Sequence, residues 1–230
     1  MSERSILIVG GGTAGWLTAA YLARFFDIAR NPRIRVTVLE SPEIGIIGVG
    51  EGTFPTIRNT LRFIGIDEAH FVRATSATFK QGIRFDNWVR TPEPGAESHF
   101  LHPFEPPFQA EEHSLISYWL LQDEHTRPPF AEAMTIQNRV AEAGRAPKTD
   151  GEGDFAGPLN YAYHFDATRV AEVLSDHARA QGVRHLQGLM TGVVLDPATG
   201  AIDHLETREH GDLAADLYID CSARKPEQSM

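Results

Sequence analysis

The stretch Ser5-Ile-Leu-Ile-Val9-Gly10-Gly-Gly-Thr-Ala-Gly15-Trp16 decides the fold. Residues 5–9 are a short β-rich apolar run, the glycines follow at once, and a helical pattern runs from Trp16 to about Ala29 before Asn31-Pro32 ends it. Leu17, Ala20, Tyr21 and Phe25 are expected to share one face of that helix. A strand before Gly10-x-Gly12-x-x-Gly15 and a helix after it turn a weak glycine pattern into a dinucleotide-binding fingerprint. Gly10 permits the tight turn, Gly12 lets backbone N–H groups approach a pyrophosphate, and Gly15 allows close packing, while the helix N-terminus supplies partial positive charge. A second strand, Ile34 to Leu39, ends on Glu40, placed to accept hydrogen bonds from two ribose hydroxyls. The gap from Gly12 to Glu40 exceeds the usual ~20 residues, so the unit carries a longer helix or loop. Length alone does not choose FAD over NAD.

Outward from this unit, residues 41–52 form a glycine-punctuated loop that includes Gly48-Val-Gly-Glu51. Pro55 opens a helix with Ile57, Leu61 and Ile64 at helical spacing, Gly65 closes it, and Asp67 is expected to cap the next helix. From Ala77 to Trp88 the pattern alternates, which predicts one strand with Phe79, Ile83 and Phe85 on one face and Lys80, Gly82 and Arg84 on the other. Residues 91–113 and 139–158 read as long loops. Asp166 caps a helix over about 167–181, stopped by Gly182, and short strands are expected near 183–187, 189–195, 201–207 and 214–220.

Composition narrows the function. The 230 residues carry a formal charge of −10, with 42% hydrophobic and 23% charged residues, enough apolar content for a packed core and too much for disorder. The acidic balance disfavours nucleic acid and anionic membranes as partners. The single cysteine, Cys221, allows no intrachain disulfide and no Cys-rich zinc scaffold, which fits a soluble, cytoplasmic protein. No metal site is expected: the ten histidines include His99-x-x-His102 but no HExxH.

Gly10-Gly-Gly-Thr-Ala-Gly-Trp16, Glu40-Ser41, Gly48-Val-Gly-Glu51 with Thr53 and Pro55, Phe79-Lys80 before Ile83-Arg-Phe85, Asn87-Trp88, Asn160-Tyr-Ala-Tyr-His-Phe-Asp166 and Asp220-Cys-Ser222 occur in that order. Together they resemble the flavin-dependent tryptophan halogenases over residues 5–222. The resemblance implies an α/β, Rossmann-like FAD-binding fold of the glutathione-reductase type, with FAD-binding elements in 1–52 and 160–222, an inserted β-rich and loop substrate region in 53–159, and a non-family tail in 223–230. It implies reduced FAD supplied by a separate flavin reductase, with O2 and halide giving hypohalous acid that passes to a lysine and halogenates an aromatic ring such as an indole. Carried over residue by residue, Lys80 is the catalytic lysine. The cofactor-binding positions are Gly10, Gly12, Thr13, Ala14, Gly15, Glu40, Ser41, Ile44, Val49, Glu51 and Met190. His102 and Phe104 form the aromatic wall of the substrate pocket, where flat rings stack well. Gly48 to Glu51 resembles a strap along the flavin, and Gly52 stands where the family more often has alanine.

The Trp-x-Trp-x-Ile-Pro signature and the glutamate-bearing segment of that family do not occur in these 230 residues. Catalysis needs groups positioned on both sides of a substrate, so the expectation is a truncated chain, incomplete at its C-terminus, with little activity alone. A flavin monooxygenase and a noncatalytic FAD-binding remnant stand as alternatives.

Overall fold

A computed structural model describes residues 3–45, 51–88, 91, 98–111 and 113–222. In chain order its elements are β1 (Arg4–Val9), α1 (Thr13–Phe26), β2 (Ile34–Glu40), β3 (Glu51–Gly52), α2 (Thr56–Ile64), α3 (Glu68–Ala74), β4 (Thr78–Lys80), β5 (Gly82–Asp86), β6 (His99–Pro103), β7 (Gln109–Ala110) and β8 (His113–Ser114). There follow α4 (Leu115–Leu120), α5 (Phe130–Met134), α6 (Gln137–Glu142), β9 (Ala162–Phe165), α7 (Ala167–Ala180), β10 (Arg184–Gln187), β11 (Met190–Leu195), β12 (Ile202–Thr207), β13 (Gly211–Leu213) and β14 (Leu217–Asp220). They divide into two units, Met1–Glu51 with Thr60–Ala77 and Phe165–Met230, and Gly52–Asn59 with Thr78–His164. Among the described residues no helix is long and apolar enough to cross a membrane.

The first unit is built on a parallel sheet in the order β10-β2-β1-β14. Strands buried on both faces need continuous apolar runs, and Ile6, Leu7, Ile8, Val36, Val38 and Leu39 supply them. This is the Rossmann-like α/β architecture. The expected apolar face of α1 is corrected: Trp16, Ala19, Ala20 and Ala23 are buried, whereas Tyr21 and Phe25 are exposed. The reason is close packing of α1 against α7, whose buried residues Ala167, Val170, Ala171, Leu174 and Ala178 include three alanines. Small side chains let the two backbones approach, so the aromatic residues turn outward and Tyr21 meets Phe63 at 4.6 Å. The helix also ends at Phe26, earlier than expected, on an αL Asp27. Asp67 and Asp166 cap as expected, accepting from the N–H groups of His70 and Arg169, and Gly65 closes α2 at φ +85°. An antiparallel meander, β11-β12-β13, completes the unit.

In the second unit the single strand expected over residues 77–88 is broken at Gln81. β4 pairs with β9, whereas β5 pairs with β6. Phe79 therefore packs edge-on against Tyr161 at 5.2 Å, while Phe85 stacks on its cross-strand partner Phe100 at 5.0 Å. The stretch 91–113 is not all loop: it contains β6 and β7 and the start of β8. A buried polar triangle fastens it. Gln137, fully buried, accepts from the Glu105 N–H (2.6 Å) and donates to the Asn160 carbonyl (2.6 Å), and the Glu105 carboxylate accepts from the Asn160 N–H (2.8 Å). Within this triangle each of the groups named is matched by a partner.

Candidate functional site

Two constellations stand out, one in each unit. In the first, the turn between β1 and α1 is shaped by glycines, of which Gly10 and Gly15 stand against backbone. Gly10 has φ +112°, and a Cβ on it would lie 2.5 Å from the Cys221 carbonyl oxygen. A Cβ on Gly15 would collide with the Gly10 carbonyl, and one on Gly11 with the Glu40 carboxyl group. Gly12, the N-cap of α1, instead faces open space and offers no side-chain cap. The first N–H groups of a helix have no partner within it, and the buried Thr13 Oγ1 has none either. Unpartnered donors at a helix N-terminus fit an anion such as a pyrophosphate. The position also matches the rule that open α/β sheets bind ligands beyond the carboxyl ends of their strands, where the strand order reverses.

Glu40 follows as the acid at the end of β2. Its Oε2 lies 2.8 Å from His185 Nε2, close enough for an ion pair but out of line for a hydrogen bond, so that ring nitrogen stays buried without a hydrogen-bond partner. His185 in turn meets Trp16 edge-on at 4.9 Å. Around Glu40, the Ser41 hydroxyl accepts from the Glu43 N–H (3.3 Å) and the Ile44 N–H donates to the Ser41 carbonyl (3.3 Å). Glu51 is exposed at the start of β3, and Val49, with Gly48, lies outside the described residues.

The second constellation surrounds Lys80, the half-buried last residue of β4. Its Nζ stands 5.1 Å from the centre of the Phe54 ring and 5.5 Å from that of Phe104, and the two rings are 5.9 Å apart. An ammonium this close to aromatic faces is in cation–π range. The Thr53 hydroxyl and N–H both donate to the Tyr163 carbonyl (3.0 Å each), and the same hydroxyl accepts from the Tyr163 N–H (3.1 Å), which fixes the chain just before Phe54. Phe104 is held by its N–H to the Gln81 carbonyl (3.1 Å). His164 and Gly52 complete the group: a Cβ on Gly52 would stand 3.2 Å from Lys80 Nζ and from His164 Nδ1 alike. Burial, and then the charge of Lys80, hold the His164 pKa below its ordinary value.

These residues invite comparison with known proteins. A family model described as tryptophan halogenase matches residues 5–227. The chain belongs to the tryptophan halogenase family. It is 36% identical to the tryptophan 6-halogenase SttH of Streptomyces toxytricini, over 94% of this chain and 43% of that relative. It is 35% identical to the tryptophan 7-halogenase RebH of Lentzea aerocolonigenes, over 94% of this chain and 42% of RebH. The crystal structure of a tryptophan halogenase from Shewanella frigidimarina superposes with a TM-score of 0.86 at 38% identity, covering 96% of this chain and 43% of that one. The chain thus spans less than half the length of these tryptophan halogenases.

Within this halogenase-family chain, Gly10, Gly12, Thr13, Ala14 and Gly15 share the β1–α1 turn and the first turn of α1, and Glu40 closes on Gly11. Met190 begins β11, its side chain packed on the cluster of Leu7, Leu39 and Leu205. Phe104 is brought to Lys80, whereas His102 is exposed on β6 opposite Ile83. Sequence reasoning missed Phe54, His164, Gly11 and His185. A signal existed for His164, which lies inside the quoted Asn160–Asp166 segment, and for Phe54, the aromatic residue at the end of the glycine-rich loop. Among the described residues no cluster of His, Cys, Asp or Glu is arranged to hold a metal ion.

Proposed function

We propose that this chain is the FAD-binding and lysine-bearing part of a flavin-dependent halogenase acting on a tryptophan- or indole-like aromatic substrate. The observation that carries the reading is the Lys80 amine set against the Phe54 and Phe104 rings in a chain of this family. The α1 N-terminus and Thr13 would hold the FAD pyrophosphate, Glu40 would accept from its ribose, and Ser41, Ile44, Val49, Glu51 and Met190 are further cofactor-binding positions. FAD, supplied reduced by a separate flavin reductase, would provide with O2 the oxidising power that turns halide into hypohalous acid. Lys80 takes up or orients that acid, since an amine is a good nucleophile toward electrophilic halogen. Phe104 and the exposed Phe54 offer faces on which a flat ring stacks, with His102 contributing from β6. The protein acts in the cytoplasm. A chain spanning 43% of SttH is expected to be nearly inactive alone.

Equilibrium dialysis of the 230-residue chain with FAD is expected to give micromolar binding, and no binding would overturn the cofactor assignment. Joined to the remaining portion of SttH and supplied with flavin reductase, NADH, FAD, bromide and indole, it is expected to yield brominated product. Lys80→Ala should abolish that product and spare FAD binding; undiminished turnover in the variant would overturn the role of Lys80.

A further inference from the structure

Strands β4 and β9 run antiparallel with Thr78 opposite His164 and Lys80 opposite Ala162. Side chains two apart on a strand share a face, so Lys80 lies on the face of Thr78, diagonal to His164. That is the spacing at which long side chains of neighbouring strands reach one another. Gly52 puts no side chain between them. Lys80 Nζ and His164 Nδ1 are both 3.2 Å from the point its Cβ would occupy, so the two nitrogens lie within twice that distance of each other. Polar groups too far apart for a direct hydrogen bond are bridged by a water that reaches both, and such a water carries a proton between them. Although His164 as a whole is exposed, the packing on its ring and the charge of Lys80 both favour its neutral form. Among the described residues Lys80 is the charged group acting on it, and the rings of Phe54 and Phe104 bring no charge to Lys80. A neutral imidazole beside an amine that must shed a proton is a proton acceptor.

We propose that His164 is a positioning residue for Lys80, taking up through one water over Gly52 the proton that the amine loses when its nitrogen attacks an electrophile. The inference rests on Lys80 being the reactive amine of the proposed function. Lys80 first gives its ammonium proton to solvent, and the lone pair of the neutral Nζ then forms the bond to halogen as the oxygen–halogen bond of hypohalous acid breaks and hydroxide leaves with its electron pair. One N–H proton moves to the imidazole, and the imidazolium then protonates the hydroxide to water, which restores His164.

Competitive acetylation reads this without flavin or halide. The chain has three lysines, Lys80, Lys148 and Lys225, and Lys148, whose Nζ donates to the Gly153 carbonyl, is the internal reference. Trace acetyl-N-hydroxysuccinimide is applied between pH 5 and 8, and acetylation is counted by peptide mass spectrometry. The Lys80 to Lys148 ratio is expected to fall as the pH drops through the titration of His164 below 6.5. His164→Gln should lower the ratio about tenfold at pH 7.5 and remove the inflection. His164→Gly should behave alike and recover with added imidazole. A ratio unchanged in His164→Gln, or lowered with the inflection intact or without imidazole rescue, would overturn the proposal. If the chimera with Lys80→Ala still halogenated indole, the proposed function would fall while this assay kept its own answer.

Discussion

The turn at Gly10–Gly15 and the surroundings of Lys80 are built on opposite plans. The first is made of backbone: three glycines whose absent side chains let main chain meet main chain or a carboxylate, and a helix end without a side-chain cap. The second is made of side chains from residues 53, 54, 80, 104 and 164, gathered by antiparallel register and a strand break at Gln81. A backbone site is rigid where hydrogen bonds and close packing hold its φ and ψ, as the Gly10 N–H on the Leu39 carbonyl (2.9 Å) and the Cys221 N–H on the Val9 carbonyl (2.8 Å) do here. A side-chain site is rigid only so far as its supports are, and here these are Thr53 on Tyr163 and the triangle of Glu105, Gln137 and Asn160.

The sharpest way to break the first plan is Gly15→Val, which drives a branched side chain into the Gly10 carbonyl. We expect a loss of about 3 kcal/mol or more in chemical denaturation, together with loss of FAD binding. The corresponding blow to the second plan is Gln137→Ala. It leaves the Glu105 N–H and the Asn160 carbonyl without their partner, for about 2–3 kcal/mol, and lowers Lys80 acetylation while the Gly10–Gly15 turn still binds FAD. Loss of both functions together would erase the contrast.

Acid separates the two regions more gently. Hydrogen bonds from the Ser5 N–H, the Arg4 guanidinium and the Ser5 hydroxyl hold Asp216 down to about 2. A carboxyl group depressed on folding stabilises fully above its ordinary value of 3.8 and progressively less as the pH falls toward 2. Asp216→Asn should therefore flatten the decline of stability over that interval. His164 acts in the same direction at higher pH: its folded pKa lies below the ordinary 6.5, so its contribution is complete above 6.5 and is lost as acid protonates it. Lys80→Met removes the lesser of its two causes, and NMR titration of the His164 ring should show its pKa rise part of the way back.

The same contrast explains what could be read in advance. Gly10-x-Gly12-x-x-Gly15, the runs at 5–9 and 34–39, and the caps at Asp67 and Asp166 are local signals, and local physics placed them correctly. The buried face of α1 was misjudged because hydrophobicity favoured Tyr21 and Phe25, whereas packing against α7 selected alanines. Alternation over 77–88 carried no mark of the partner change at Gln81, since period-two patterning specifies a face and not a neighbour. Phe54 and His164 reach Lys80 only through register with β9, which depends on residues far along the chain.

The central strand of the first unit, β1, is flanked on one side by β14, whose residues 217–220 stand more than two hundred positions later in the sequence. During synthesis the strand that carries the glycine turn must wait for almost all of the described chain to emerge before its second edge is covered. The second unit, Gly52–Asn59 with Thr78–His164, joins Thr53 to Tyr163 across 110 positions, about half that separation, and can order first. High sequence separation slows folding and prolongs exposure of an unpaired, strongly apolar strand. The Ser5–Asp216 clasp at the mouth of that strand pair is thus a late-closing latch, made only after the strand it secures has long been exposed.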